Sequence, residues 1–329
     1  MKIFYSSNNS YAPILGISLT SFFKHNQGTH EIYILDVDIS NENKDKLIAL
    51  TKTNQGSIFF VKLPRTLHNI YDDFDNKRWS IATFGRLFAA SLFPDVDKLL
   101  YLDCDIIINK DLSSLYNTDI QNVAVAGVKE CLSNNYNDLV HIPPTSFYLQ
   151  AGVLLMNLAY MRKHDLEARF IKYSKTHPKV LYNDQDILNA CLKTEEKIRL
   201  PLKYNVYTPI RFFNYQEILK ARRLGHFYVS ESEYQTAKAD PYITHFTYCF
   251  LDGKRPWIKG SNDPSLAEYQ AIKQDSLWTD MKPLLDQRSK KKRFLHGIMK
   301  HLPKFIMLPL LGYLHGKLIP HRAKKNYQD

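Results

Sequence analysis

A chain of 329 residues, 44% hydrophobic and 13% aromatic, can bury a large core, which excludes a disordered or low-complexity protein and leaves room for one large domain plus an appendage. The formal net charge of +11 would favour an anionic partner, but residues 288–329 hold eleven Lys or Arg against one acid. Residues 1–287 are therefore close to neutral and carry no general basic signature for nucleic acid.

In chain order, Lys2–Ser7 reads as a first strand, "NNS" as a turn, and Ile14, Leu15, Ile17, Leu19, Phe22 and Phe23 as the apolar stripe of a helix. Glu31–Asp36, a helix over Ser40–Thr53, and Ser57–Val61 repeat the theme. A helix over Ser80–Leu92 leads into "KLLYL". Val123–Val128 and Gly152–Asn157 supply two more strands, followed by helices over Leu158–Thr176 and Asp184–Thr194. Alternating strands and helices, with several strands apolar on both faces, predict an α/β fold with a mainly parallel sheet covered by helices. Ligands bind such sheets at the carboxyl ends of their strands, where both "SSNNS" and "DCD" lie. The N-terminal apolar run is too short for a signal peptide, and no stretch of about 18 uninterrupted apolar residues occurs, so a cytoplasmic protein is expected. Cys104, Cys131, Cys191 and Cys249 lack zinc-site spacing and read as reduced, structural thiols.

The chemistry-bearing residues begin at "KLLYLDCDIIINKDL". Residues two apart share a face of an extended chain, so Asp103 and Asp105 converge, with Cα atoms about 6.6 Å apart, while Cys104 points away. Two carboxylates at that spacing suit one hard divalent cation, and His245 in "ITHFTY" is a candidate third ligand; a solitary His also serves as a buried hydrogen-bond donor. Arg86, on a mainly apolar helix, requires an acid or an anionic ligand as partner. In "NDQDILN", Asn183 or Asp184 reads as a helix N-cap. Ile187, Leu188, Cys191 and Leu192 form the buried stripe and leave Asp184, Gln185, Asp186 and Asn189 toward polar surroundings.

Asp103-Cys104-Asp105 after "LLYL", then "QAGVLLMN", "NDQDILN" and "HF" followed by "GKRPW", in that order, resemble the family 8 glycosyltransferases over roughly residues 1–270. The resemblance is closest to bacterial lipooligosaccharide α-galactosyltransferases and related α-glucosyltransferases. It implies a GT-A fold, a retaining reaction, a UDP-hexose donor and Mn²⁺ or Mg²⁺ held by Asp103, Asp105 and His245. It also implies that Gly253 and Lys254 or Arg255 meet the diphosphate, since the family places Lys directly before Pro-Trp and this chain places Arg255 there. Arg86 is implied to pair with an acid or the donor, and Asp184 and Gln185 to lie beside the donor sugar. Gln is a poor nucleophile, which favours same-face transfer with Gln185 stabilising charge at the anomeric carbon; Asp184 is the nucleophile if a covalent step exists. Asn8 and Ser10 stand where an Asp and an Asn are usual at the base. Tyr11 either stacks on the base or belongs to the core, and Gln150 replaces an Asn near the sugar, leaving galactose against glucose open.

Residues 271–329 read as a helical appendage. From Arg288 onward basic clusters alternate with Phe294, Leu295, Ile298, Phe305, Ile306, Leu310 and Leu311, and Pro309 and Gly312 interrupt an apolar stretch too short to span a bilayer. Such a segment suits the anionic inner face of a cytoplasmic membrane; a helix docked on the body, or an RNA-binding tail, are the other readings. The resemblance and the tail together imply a retaining, metal-dependent hexosyltransferase that moves galactose or glucose from a UDP-sugar to a lipooligosaccharide, lipopolysaccharide or other cell-surface glycan, expected to be lipid-linked; the alternative is a catalytically inactive sugar-nucleotide-binding partner of another transferase.

Overall fold

In the computed structural model, which describes residues 1–52, 54–72, 80–225, 229–248 and 254–327, a seven-stranded sheet carries two helical layers. Its strands are β1 (Lys2–Asn8), β2 (His30–Val37), β3 (Gly56–Lys62), β4 (Lys98–Leu102), β6 (Val125–Lys129), β7 (Leu149–Asn157) and β8 (Lys197–Leu200), in the order β3-β2-β1-β4-β7-β6-β8. The sheet is mostly parallel, and β7 runs antiparallel to both β4 and β6. A second, three-stranded sheet holds β5 (Ile106–Ile108), β9 (Val206–Tyr207) and β10 (Ile243–His245) in the order β5-β10-β9.

The alternation of β1 builds both halves of the core: Ile3 and Tyr5 face the helix Ala12–His25, while Phe4 faces the layer containing Phe84, Leu87 and Phe93. The strand order reverses between β1 and β4, which opens a crevice at their carboxyl ends, the position that binds ligands in open α/β sheets.

Several boundaries differ from the sequence reading for identifiable reasons. The segment Ile81–Phe88 is a tight 3₁₀ run, capped by the Ser80 hydroxyl on the Ala82 N–H, before one α turn Ala89–Leu92. The long helix expected after β7 is two helices, Leu158–Lys163 and Leu166–Thr176, because Asp165 takes a left-handed φ of 49°. The boundary expected at residue 270 falls inside the helix Leu266–Asp275, and Trp278 beyond it is buried on the body.

The tail is helical through Lys290–His301 and Lys304–Tyr313, a π-helical turn Leu314–Leu318, and Ile319–Ala323. One face docks on the body. Met299, Met307, Leu308 and Leu311 enter the core, and a Cβ on Gly312 would lie 2.2 Å from the Lys220 carbonyl, so only glycine admits that approach. The Gly316 carbonyl accepts from Ser133 and Asn135, and the His315 carbonyl from Tyr136. Phe294, Phe305 and Tyr313 stay exposed, as do Lys290, Lys291, Lys292 and Arg293.

Candidate active site

The chain leaves the large sheet at Leu102 and joins the small one at Ile106, so Asp103-Cys104-Asp105 is the crossing between two sheets. Both ends are pinned by backbone hydrogen bonds: Asp103 N–H donates to the Gly152 carbonyl on β7, and the Asp105 carbonyl accepts from Phe246 N–H just past β10. The thiol of Cys104 turns inward to the Ser6 carbonyl, 3.2 Å away, so its side chain supports the crossing and does not line the site. Antiparallel pairing of β5 with β10 sets His245 opposite Ile106. One ligand atom each from Asp103, Asp105 and His245 then lies within 4.8 Å of the others. His245 Nε2 is 3.6 Å from Asp103 Oδ2 and 3.3 Å from Asp105 Oδ1.

The remaining carboxylate oxygens are already engaged. Asp103 Oδ1 accepts from Arg86 Nη2 at 2.9 Å and Tyr101 Oη at 2.8 Å, leaving Oδ2 toward the histidine. Asp105 Oδ2 lies 3.2 Å from Arg255 Nη2. Burial opposes the charge of Asp105, but Arg255 and His245 outweigh it and hold its pKa down to about 2. Gly152 closes the third side: a Cβ there would sit 2.3 Å from His245 Cε1 and 2.7 Å from Asp103 Oδ2. Two oxygens and one nitrogen converge on a point that only a glycine leaves open, and that donor set fits a divalent cation such as Mn²⁺ or Mg²⁺.

Arg86 is 4% exposed and connects this cluster to the next. Its Nε lies 3.0 Å from Asp184 Oδ2, Nη1 donates to the Ala151 carbonyl, and the guanidinium stacks 4.4 Å from the Tyr101 ring centroid. Burial works against its charge, yet Asp103, Tyr101 and Asp184 together raise its pKa above the ordinary value. Burial raises the Asp184 carboxyl to about 6, with Arg86 opposing and Asp103 adding to the rise.

Asp184 is therefore bound to Arg86 and does not cap its helix, Asn183–Cys191. Tyr182 occupies the cap position, and its N–H donates to Asp186 Oδ2. Asp186 and Asn189 are buried, contrary to the expected polar surroundings. Asp186 accepts from Tyr148 and from Tyr327 of the tail, while Asn189 exchanges hydrogen bonds with both backbone groups of Leu149. These bonds fix the helix against β7, and Gln185 Oε1 accepts from Ala151 N–H at 2.9 Å.

Arg255 faces inward, its Nη1 donating to Tyr11 Oη, while Lys254 reaches the Gly260 carbonyl on the exposed side. Tyr11 meets Trp257 edge to face, with centroids 6.4 Å apart, so Arg255 holds its hydroxyl and Trp257 its ring. Asn8 Oδ1 accepts from Ser10 Oγ and Tyr11 N–H, which folds the loop after β1, and Nδ2 is only 3.5 Å from Ser80 Oγ. Gln150 is buried, its Oε1 accepting from Gly152 N–H and Asn205 Nδ2. Gly253 lies outside the described residues. Sequence reasoning missed Asn205, whose Oδ1 meets His245 Nδ1 at 3.0 Å, and Tyr327; neither stands in a recognisable motif.

The family model described as "Glycosyl transferase family 8" matches residues 2–259. A putative glycosyltransferase of Haemophilus influenzae is 30% identical over 210 residues, covering 60% of this chain and 61% of that protein, so the chain spans less than two thirds of that relative's length. The lipopolysaccharide 1,2-glucosyltransferase of Escherichia coli is 24% identical over 322 residues, covering 92% of this chain and 86% of that protein. Among solved structures, the galactosyltransferase LgtC in complex with donor and acceptor sugar analogues aligns with a TM-score of 0.70 at 20% identity, covering 89% of this chain and 99% of that one. The likeness is one of fold, the GT-A type.

Proposed function

This chain belongs to glycosyl transferase family 8, and on that premise we propose that it is a retaining, metal-dependent hexosyltransferase that moves galactose or glucose from a UDP-sugar to a lipopolysaccharide or other cell-surface glycan. The observation that carries this reading is the convergence of Asp103 Oδ2, Asp105 Oδ1 and His245 Nε2, with Arg86 and Arg255 on either side. A divalent cation held by these three ligands supplies the positive charge that a departing diphosphate requires.

The chain's own residues do the rest. Arg255 reaches the same place with a second positive charge, and its guanidinium fork suits a diphosphate once it leaves Asp105. Asn8 Nδ2 stands at the end of β1 on an amide whose Oδ1 is fixed by Ser10 and Tyr11, and it offers its second N–H to a base. Arg86 pairs with the Asp184 carboxyl, and Ala151 N–H holds Gln185 Oε1, which in this reading presents the side-chain amide to the donor sugar. An aspartate paired with a guanidinium is a subdued nucleophile, which favours same-face transfer, with Gln185 stabilising the positive anomeric carbon and the leaving diphosphate taking the acceptor's proton. A glycosyl-Asp184 species in single-turnover mass spectrometry would overturn that preference.

Residues 288–329 are assigned the membrane side of the reaction. Phe294, Phe305 and Tyr313 project beside exposed lysines, and each basic residue near an anionic lipid surface contributes about 1 kcal/mol. Among the described residues no helix is long and apolar enough to cross a membrane, so the contact would be peripheral.

Screening UDP-hexoses for release of UDP, with and without Mn²⁺, tests the reading. Metal-dependent release from one or two UDP-hexoses is expected. Tight UDP binding without release from any of them would favour the inactive sugar-nucleotide-binding partner.

A further inference from the structure

We propose that Gln150 and Asn205 form a relay that fixes the tautomer of His245 and aims its Nε2 lone pair at the cation position, making Asn205 a positioning residue of the metal site. This rests on the reading of Asp103, Asp105 and His245 as metal ligands, and the test separates the two.

The backbone N–H of Gly152 is only a donor, so the Gln150 atom 2.7 Å from it is the carbonyl oxygen Oε1. The same oxygen is 2.5 Å from the Asn205 side chain, which must therefore present Nδ2. The other end of that amide, Oδ1, then faces His245 Nδ1 at 3.0 Å, and two acceptors cannot share a hydrogen bond. His245 Nδ1 thus carries the proton. In the neutral ring Nε2 is the bare nitrogen, and it is the atom that faces Asp103 and Asp105. Each amide orientation follows from the one before it, back to a single backbone N–H.

The fold places the parts. Parallel pairing of β9 with β10 sets His245 beside Tyr207, and Asn205 lies just ahead of β9 at the end of the 3₁₀ turn Leu202–Tyr204. Asn205 is 0% exposed and His245 1%, so no water competes for these bonds and a wrong orientation would strand buried polar atoms. The relay also accounts for the residue at 150. An asparagine there would be one methylene shorter, about 1.5 Å, and could not hold both Gly152 N–H and Asn205. Glutamine at 150 and asparagine at 205 therefore act as a pair. Partners that orient a metal-binding histidine characteristically change metal affinity by about 10–100-fold when lost.

The experiment measures Mn²⁺ affinity by electron paramagnetic resonance for the wild type, Asn205→Leu, Asn205→Asp and Gln150→Asn, together with the His245 tautomer in ¹⁵N-histidine NMR of the metal-free wild type. Asn205→Leu should lose Mn²⁺ affinity by about 10-fold or more. Asn205→Asp, which keeps the acceptor on Nδ1–H, should retain more of it, and Gln150→Asn should fall between. The metal-free wild type should show His245 protonated on Nδ1. Wild-type affinity in a folded Asn205→Leu protein, or a bare Nδ1 with the ring proton on Nε2 in the wild type, overturns the relay. Failure of the wild type to take up Mn²⁺ refutes the metal site instead, and the tautomer measurement then decides the relay by itself, including where a variant fails to fold.

Discussion

Gly152→Ala is the smallest change that tests the geometry of the site. The added Cβ would lie 2.3 Å from His245 Cε1, 2.9 Å from His245 Nδ1 and 2.7 Å from Asp103 Oδ2. Ordinary carbon contacts are about 3.5–4.0 Å, so the ring must retreat by about 1 Å. It has nowhere to go: His245 is buried, and its Nδ1 is tied to Asn205 at 3.0 Å. Overpacking of this kind costs about 1–3 kcal/mol of stability. Displacement of a ligand should cost about 10–100-fold in Mn²⁺ affinity, equivalent to about 1.4–2.8 kcal/mol. Urea unfolding and Mn²⁺ titration read the two effects separately. Gly297→Ala is the control, because a Cβ there meets nothing within 4 Å and alanine favours its helix. A Gly152→Ala protein with wild-type stability and wild-type Mn²⁺ affinity would refute the packing of Gly152 against the ligands.

Three further outcomes follow from the same contacts. Arg255→Ala should weaken UDP binding in the presence of Mn²⁺ by about tenfold or more, and Lys254→Ala by less, since a charge-assisted bond is worth about 1.5–3 kcal/mol and Lys254 faces outward; isothermal titration showing the opposite order would reassign the diphosphate contact. The carboxyl of Asp184 is raised from 3.8 to about 6, so the folded state binds its proton more tightly than the unfolded chain does, and stability should fall as pH rises from about 4 to about 6. Relative to Asp184→Asn, the metal-free wild type should lose about 3 kcal/mol across that window in urea titrations, and a constant difference would contradict the assignment. For the tail, Phe294→Ser with Phe305→Ser should reduce binding to vesicles containing anionic lipid while leaving the thermal midpoint unchanged, because both side chains are exposed, at 69% and 78%. Unchanged vesicle binding would remove the membrane from the account. Deleting the whole tail is the poorer experiment, since it also removes Tyr327 from Asp186.

Much of this site was legible because its chemistry coincides with strand punctuation. An apolar run that ends in Asp-Cys-Asp announces both a strand and its ligand-binding end, and Arg86 on an apolar helix announces a buried partner. The bonds that hold the ligands were not legible. Asn205 sits in "KYNVY", where nothing distinguishes a relay from a turn, and its partner Gln150 lies 55 residues away. The cap expected at Asn183 or Asp184 failed for the same reason: local propensity favoured capping, but the cap position falls earlier, at Tyr182, and a buried guanidinium competed for the Asp184 carboxylate and won. The tail's alternation of basic clusters and apolar residues left a membrane-binding and a docked segment both open, whereas the structure divides the apolar residues between an exposed face and a docked one that approaches the body closely at Gly312. Of Lys254 and Arg255, it is Arg255 that turns toward the aspartates, held from both sides by Tyr11 and Asp105.

The central claim is that Asp103, Asp105 and His245 hold the cation that carries the departing diphosphate. Diffraction from crystals grown with Mn²⁺ and UDP, collected at the manganese edge, tests it most directly. The account predicts one strong anomalous peak within about 2.3 Å of Asp103 Oδ2, Asp105 Oδ1 and His245 Nε2, with the diphosphate beside it and Arg255 drawn off Asp105 onto a phosphate oxygen. Bound UDP with no anomalous peak at the triad would contradict it.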